Sequence, residues 1–310
     1  MGTTWSVRLV AVRNADLHPL HAGIQARLDA VVGQMSTWEA DSDISRYNRA
    51  EAGEWLTIPD QFHTVLACAL DIAEASDGAF DPAIGGLVGL WGFGADARAG
   101  HTIPDATQVR FARERGGWRR VQLDRQARRV QQPGGLRLDL SAIAKGYGVD
   151  LVVAQLREAG IAGGLVEVGG ELYGYGSKPD GEPWRVLVEA GPDADDATEP
   201  RVVELHGMAV ATSGDRWHHY DLADAAGVHR YTHTIDPRNG APVARAPTAV
   251  SVVATSAMHA DAWATALTVL GANAGFAFAQ ERGLAARFLD HDEGGVRERM
   301  TDAFRARLAA

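Results

Sequence analysis

One cysteine in 310 residues, Cys68, leaves no disulfide framework and no zinc site built on cysteine pairs. It lies in the apolar run from Val65 to Ile72 and reads as a small buried hydrophobe. Positive charge is also scarce. The chain has 30 Lys and Arg against 40 Asp and Glu, a net charge of −10. Nucleic acid and anionic membrane both call for a basic surface, so neither is expected as the main partner. No segment reads as a membrane span. The start, Met1 to Ser6, has no basic segment and no long apolar stretch of the signal-peptide kind. The expected location is therefore the cytoplasm, or the periplasm if the N-terminus has been trimmed. Common enzyme motifs are missing too. The chain has no G-x-x-x-x-G-K-[ST], no G-x-G-x-x-G despite 35 glycines, no G-x-S-x-G and no H-E-x-x-H. P-loop, Rossmann, serine-elbow and zincin chemistries thus lack support.

What is present is ordinary globular material, 46% hydrophobic and 23% charged, long enough for a large core. An alternating strand is expected from Trp5 to Val12, an amphipathic helix over 19–36 and another over 60–76. A polar, turn-rich stretch covers Ser36 to Arg49. Short strands are expected at 120–124, 128–131 and 136–140, with a Pro133-Gly-Gly turn before the last. A helix follows from Ser141 to Ala159, then strands at 164–168, 171–175 and 184–189. An acidic loop covers 191–200, and a last helical pattern runs from Ala272 to Asp290. Mixed helices and hairpins point to an α+β fold. One domain over 1–310 is expected, possibly in two sub-lobes, with no clear linker.

The stretch from Ser256 to Gly271 carries the most chemistry. Ser256 or Thr255 can cap a helix there, and Gly271 can end it. Trp263, Ala266, Leu267 and Leu270 make one apolar face. Asp261 and Thr265, four apart, stack on another. Two hard oxygen donors so placed can hold Mg2+ if a third arrives from elsewhere, although such a pair is also an ordinary solvated helix face.

Further segments stand beside it: Met35 to Ser45, Asp77 to Pro82 with Leu90 to Gly94, Leu138 to Tyr147, and Thr232 to Pro237. To these add the initial Met-Gly-Thr, a Val168-Gly-Gly-Glu-Leu172 strand and the Ala211-Thr-Ser-Gly-Asp215 turn. In this order and spacing they resemble the FAD:protein FMN transferases, the ApbE flavin transferases, over nearly the whole chain. The resemblance implies a T-fold-like α+β enzyme. FAD is its substrate, Mg2+ its cofactor, and a flavoprotein with a Ser/Thr-rich flavinylation segment its acceptor. A threonine hydroxyl of that acceptor would take FMN while AMP leaves.

Carried onto this chain, the resemblance puts Mg2+ on Asp261, Thr265 and the backbone carbonyl of Ala142. Ala264 stands where some members carry a second carboxylate. The flavin nucleotide would meet Met1, Trp38, Ala79, Phe80, Asp81, Asp139, Lys145 and Ile235. Trp38 offers a flat face for stacking; otherwise it covers the end of the first helix. Lys145 would neutralise phosphate and His233 would serve as general base. Asp139 could instead cap the following helix, and Asp81 could simply start a turn. Glu171 is a neighbour of the site. The rival readings are a Mg2+-dependent FAD pyrophosphatase, which shares the same metal and FAD contacts, and a non-catalytic flavin-binding assembly factor.

Overall fold

A computed structural model describes residues 2–95, 103–188, 201–214, 219–224, 227–244, 246–292 and 295–309. Two compact units emerge: Met1–Ala30 with Ile143–Gly214 and Pro247–Ala310, and Val31–Ala142 with Asp215–Ala246. Helix α1 (His18–Met35) starts in the first and ends in the second.

The first unit is built on one antiparallel sheet. Its seven strands are β1 (Trp5–Leu9), β5 (Gly164–Val168), β6 (Glu171–Tyr175), β9 (Met208–Ser213), β14 (Ala249–Ala254), β15 (Ala285–Asp292) and β16 (Gly295–Met300), adjacent in that order. A hairpin joins β5 to β6 and pairs Val168 with Glu171. Gly169 (φ 62°) and Gly170 (φ 101°) form its two-residue turn. Positive φ at both central positions suits a type I′ turn, whose twist matches the strands it joins. Helices α6 (Ala144–Glu158) and α7 (Ala257–Glu281) also belong here. Val149, Val152, Val153 and Leu156 of α6 meet Val166, Val168, Tyr173, Ala209 and Ala260 in one core cluster. A second cluster sets Ala264 and Leu267 of α7 against Val250, Val252, Ala286 and Phe288. The unit is completed by the pair β7 (Trp184–Val188) and β8 (Arg201–Leu205) and by the short α8 (Asp302–Arg305).

The second unit holds α2 (Asp43–Arg49), α3 (Asp60–Ala75), α4 (Gly85–Leu90) and α5 (Ala106–Arg115). Strands β2 (Trp55–Thr57), β3 (Gln122–Asp124) and β4 (Arg129–Gln131) form a small sheet, ordered β2-β4-β3. Two hairpins follow: β10 (His219–Asp224) with β11 (Gly227–Thr232), and β12 (Ile235–Asp236) with β13 (Ala241–Pro242).

The α+β class is as expected; several local expectations are corrected. Helix α6 begins at Ala144, not Ser141. Helix α7 does not end at Gly271: that residue leaves helical geometry (φ 79°, ψ 168°) and the helix resumes to Glu281. Beyond it, 285–290 is strand, because its buried Ala286, Phe288 and Leu289 lie in a run bounded by Gly283 and paired with β14. A short apolar run of this kind looks alike in a helix and in a strand. No ladder forms at 136–140. Leu136, Leu138 and Leu140 alternate inward as in a strand, but the Asn48 side chain donates to the Leu138 carbonyl (2.9 Å) and accepts from its N–H (2.7 Å). Cys68 is half-buried. Contrary to expectation, α7 is long and apolar enough by length and composition to cross a membrane; its apolar residues are spent on the sheet, and half of the relevant window is buried. The acidic stretch 191–200 lies outside the described residues.

Candidate active site

Chemistry gathers in the first unit where α6 meets the start of α7. The Ser256 hydroxyl caps α7 by accepting from His259 N. Asp150, from α6, accepts the next orphan donors, Ala257 N and Met258 N (both 2.9 Å), and the Ser256 hydroxyl (2.8 Å). A helix start leaves four such donors without internal partners. The approach is close enough to need Gly146: a Cβ there would lie 2.2 Å from the Ala257 carbonyl oxygen.

This contact fixes Asp261 one turn into α7. Asp261 is 5% exposed. Its Oδ2 accepts from Gly146 N (3.0 Å), and its Oδ1 lies 3.9 Å from Lys145 Nζ. Lys145 Nζ also donates to Glu171 Oε1, while the buried Glu171 Oε2 has no hydrogen-bond partner. Burial raises the Asp261 carboxyl, against the pull of Lys145 and the Gly146 N–H. Burial, then the Asp261 charge, raises the Glu171 carboxyl, with the Lys145 ammonium and a backbone N–H opposing. For Lys145 burial works against the ammonium, but the two carboxylates outweigh it and raise its pKa. Two carboxylates thus share one ammonium with little water, a surplus of negative charge that a divalent cation would offset.

Thr265 sits half-buried one turn beyond Asp261. No described residue hydrogen-bonds its hydroxyl, whereas the neighbouring Thr268 bonds back to the Ala264 carbonyl at 2.8 Å. The plain helical role of a threonine therefore falls to Thr268. Ala264 is buried at 1% exposure and brings no ligand. Among the described residues no three His, Cys, Asp or Glu side chains form a metal-holding group. A cation here would need hydroxyl or carbonyl oxygens beside Asp261.

In the second unit, Trp38 is 71% exposed, too open to cover the end of α1. The Ala79 and Phe80 side chains are buried away from any ligand, and Phe80 N is taken by the Ser76 hydroxyl (3.1 Å). The Asp81 carboxylate accepts from Ala83 N (2.7 Å) and Trp118 N (3.1 Å). Burial nevertheless lifts it to about 6 against those bonds and Arg119. With Arg110, Arg113 and Pro237 it lines a cleft of about 350 Å³. Asp139 accepts from Ser141 N (2.8 Å), a local turn rather than a helix cap, and borders a smaller recess with Asn48 and Phe93. Ala142, half-buried, lies in the turn two residues before α6. His233 is half-buried with its ring edge-on to Phe93. Ile235, expected against the cofactor, is 3% exposed and clusters with Leu87 and Trp91. Met1 lies outside the described residues.

Residue spacing did not reveal Asp150 or the aromatic stack around His233. Tyr220 and Tyr231 face each other across β10 and β11, with ring centroids 5.5 Å apart. Trp91 stacks on Tyr231 and Phe93 on Tyr220. One tyrosine on each of two facing strands was the available signal.

Residues 1–288 match the model of the ApbE family. The chain belongs to that family. It is 33% identical to the FAD:protein FMN transferase of Klebsiella pneumoniae (strain 342), over 99% of this chain and 87% of that protein. It is 34% identical to the enzyme of the same name from Vibrio cholerae O395, over 100% and 91%. The crystal structure of the Pseudomonas stutzeri flavinyl transferase ApbE, apo form, superposes with a TM-score of 0.90 at 37% identity, covering 100% of this chain and 95% of that one. The ApbE chain described here is an enzyme of the same architecture as these relatives.

Proposed function

We propose that this ApbE chain transfers FMN from FAD to a threonine hydroxyl of an acceptor flavoprotein, releasing AMP, and that it needs Mg2+ to do so. The observation that carries this reading is the buried carboxylate Asp261, set at the head of α7 beside Lys145 and one turn from the free hydroxyl of Thr265. Asp261, Thr265 and the Ala142 carbonyl would hold the cation. Bound there, Mg2+ would offset charge on the pyrophosphate, the main demand of phosphoryl transfer. Lys145 adds a second positive charge for phosphate. His233 takes the proton of the incoming hydroxyl at a ring nitrogen. The oxygen of that hydroxyl then bonds to the FMN phosphorus as the bond to the AMP oxygen breaks. Trp38 gives the flavin ring an open stacking face. With Ala79, Phe80 and Ile235 buried and the Ala79 and Phe80 N–H groups taken by Ser76, these segments would meet the nucleotide through backbone carbonyls.

The test is to incubate the purified chain with FAD, Mg2+ and a candidate acceptor bearing a Ser/Thr-rich segment, then read the acceptor by mass spectrometry. The expected result is a mass gain matching FMN on one threonine, lost in His233→Ala by about 100-fold or more. Free FMN and AMP formed at the same rate with or without acceptor, with none attached, would replace transfer by FAD hydrolysis. No turnover of either kind would favour a flavin-binding assembly factor.

A further inference from the structure

The chain has 28 arginines and only two lysines, Lys145 and Lys178. One of the two is thus spent at the α6–α7 junction, where a compact point charge on a long flexible stem differs most from a guanidinium fork. Lys145 has two carboxylates within reach and does not divide itself equally. Its ammonium is in direct contact with Glu171 but 3.9 Å from Asp261.

The local backbone sets that preference. The Gly169–Gly170 turn delivers Glu171 as the first residue of β6, opposite Val168, so the carboxylate cannot wander. Gly169 also clears the path of the lysine: a Cβ there would lie 3.3 Å from Lys145 Cδ and 2.9 Å from the Thr3 side chain. Glu171 is 2% exposed and spends one oxygen on Lys145 alone. A buried carboxylate with one oxygen left without a partner costs stability unless it serves something else. Nothing in the packing of β6 demands a charge at this place.

Remove the Glu171 charge and the ammonium has one anionic neighbour left. A flexible stem and 3.9 Å let it close on Asp261, the carboxylate that a cation needs. We propose that Glu171 is a positioning residue: it holds Lys145 off Asp261, so that the Asp261 carboxylate stays open to a divalent cation while the ammonium stays beside it for phosphate. The inference rests on the placing of Mg2+ at Asp261 and deepens it.

The test is a calorimetric Mg2+ titration of the full chain without nucleotide, comparing the unaltered protein with Glu171→Gln, Lys145→Met and the double variant. Glu171→Gln should weaken Mg2+ binding by about 10-fold or more, the scale of losing a partner that orients a metal ligand. Lys145→Met alone should not weaken it. The double variant should return to within about threefold of the unaltered chain, because the competitor for Asp261 is gone. Glu171→Asp, which keeps the charge but shortens the reach, should fall between and covers the case in which Glu171→Gln does not fold. Binding within twofold of the unaltered chain in Glu171→Gln, or a double variant as weak as Glu171→Gln, overturns the inference. An unaltered chain that binds no Mg2+ overturns the metal assignment beneath it, a distinct result.

Discussion

The head of α7 and the loops of the second unit offer their candidate groups in opposite ways. At α7 the groups are ionisable and locked: Asp261 and Glu171 are buried, the half-buried Lys145 reaches both, and a helix cap and a glycine contact hold the frame. In the second unit Trp38 is exposed, Asp81 is satisfied by backbone N–H groups, and Ile235 belongs to the core. On the proposed reading, charge-bearing work would sit where water is scarce and electrostatic interactions are strong, whereas ring recognition would need only an open face.

The largest effect expected from breaking this contrast is at Asp261. Asp261→Ala should lower FMN transfer by about 10²–10³-fold and abolish calorimetric Mg2+ binding, with FAD affinity in the absence of Mg2+ nearly unchanged. Next comes the frame. Gly146→Ala forces a methyl against the Ala257 carbonyl and should cost about 1–3 kcal/mol of stability, seen as a lower Tm and, if the frame sets the site, as weaker Mg2+ binding. Equal Mg2+ affinity in a folded Gly146→Ala would separate frame from site.

A smaller effect sharpens the other side. Trp38→Ala should weaken FAD binding by roughly 3- to 10-fold, the worth of one stacked ring pair, and leave Tm unchanged because the ring is exposed. A fall in Tm would mean that the indole packs on the protein after all. The last test concerns pH rather than the site, at Asp81, whose folded-state pKa of about 6 lies above the usual carboxylate value. The folded chain then holds this proton more tightly than the unfolded chain. The resulting stability is present below about pH 4 and is lost as pH rises to 6. In Asp81→Asn the Tm should fall less over that interval than in the unaltered chain; parallel curves would show that the group titrates normally.

Much of the α7 site was legible because its signals are local. Ser256 announces a cap, and the four-residue spacing of Asp261 and Thr265 puts them on one face. The contact between Lys145 and Glu171 is 26 residues apart in the chain and exists only through tertiary packing. Burial, which gives these charges their character, has no local signature. In the second unit α5 was missed for a related reason. It buries no residue, so it lacks an apolar period, and only the Asp105–Gln108 capping box marks it. The strand β15 was misread because an apolar run carries no period of its own.

The break at Gly271 has a consequence for how this family can vary. Each added residue turns an unbroken helix by about 100°, so a length change in its later half would set the packing of that half against the contact that anchors Asp261 to Gly146. With the ladder interrupted at Gly271, the later half can lengthen, shorten or rotate on its own, and the half that carries Asp261 keeps its bearing.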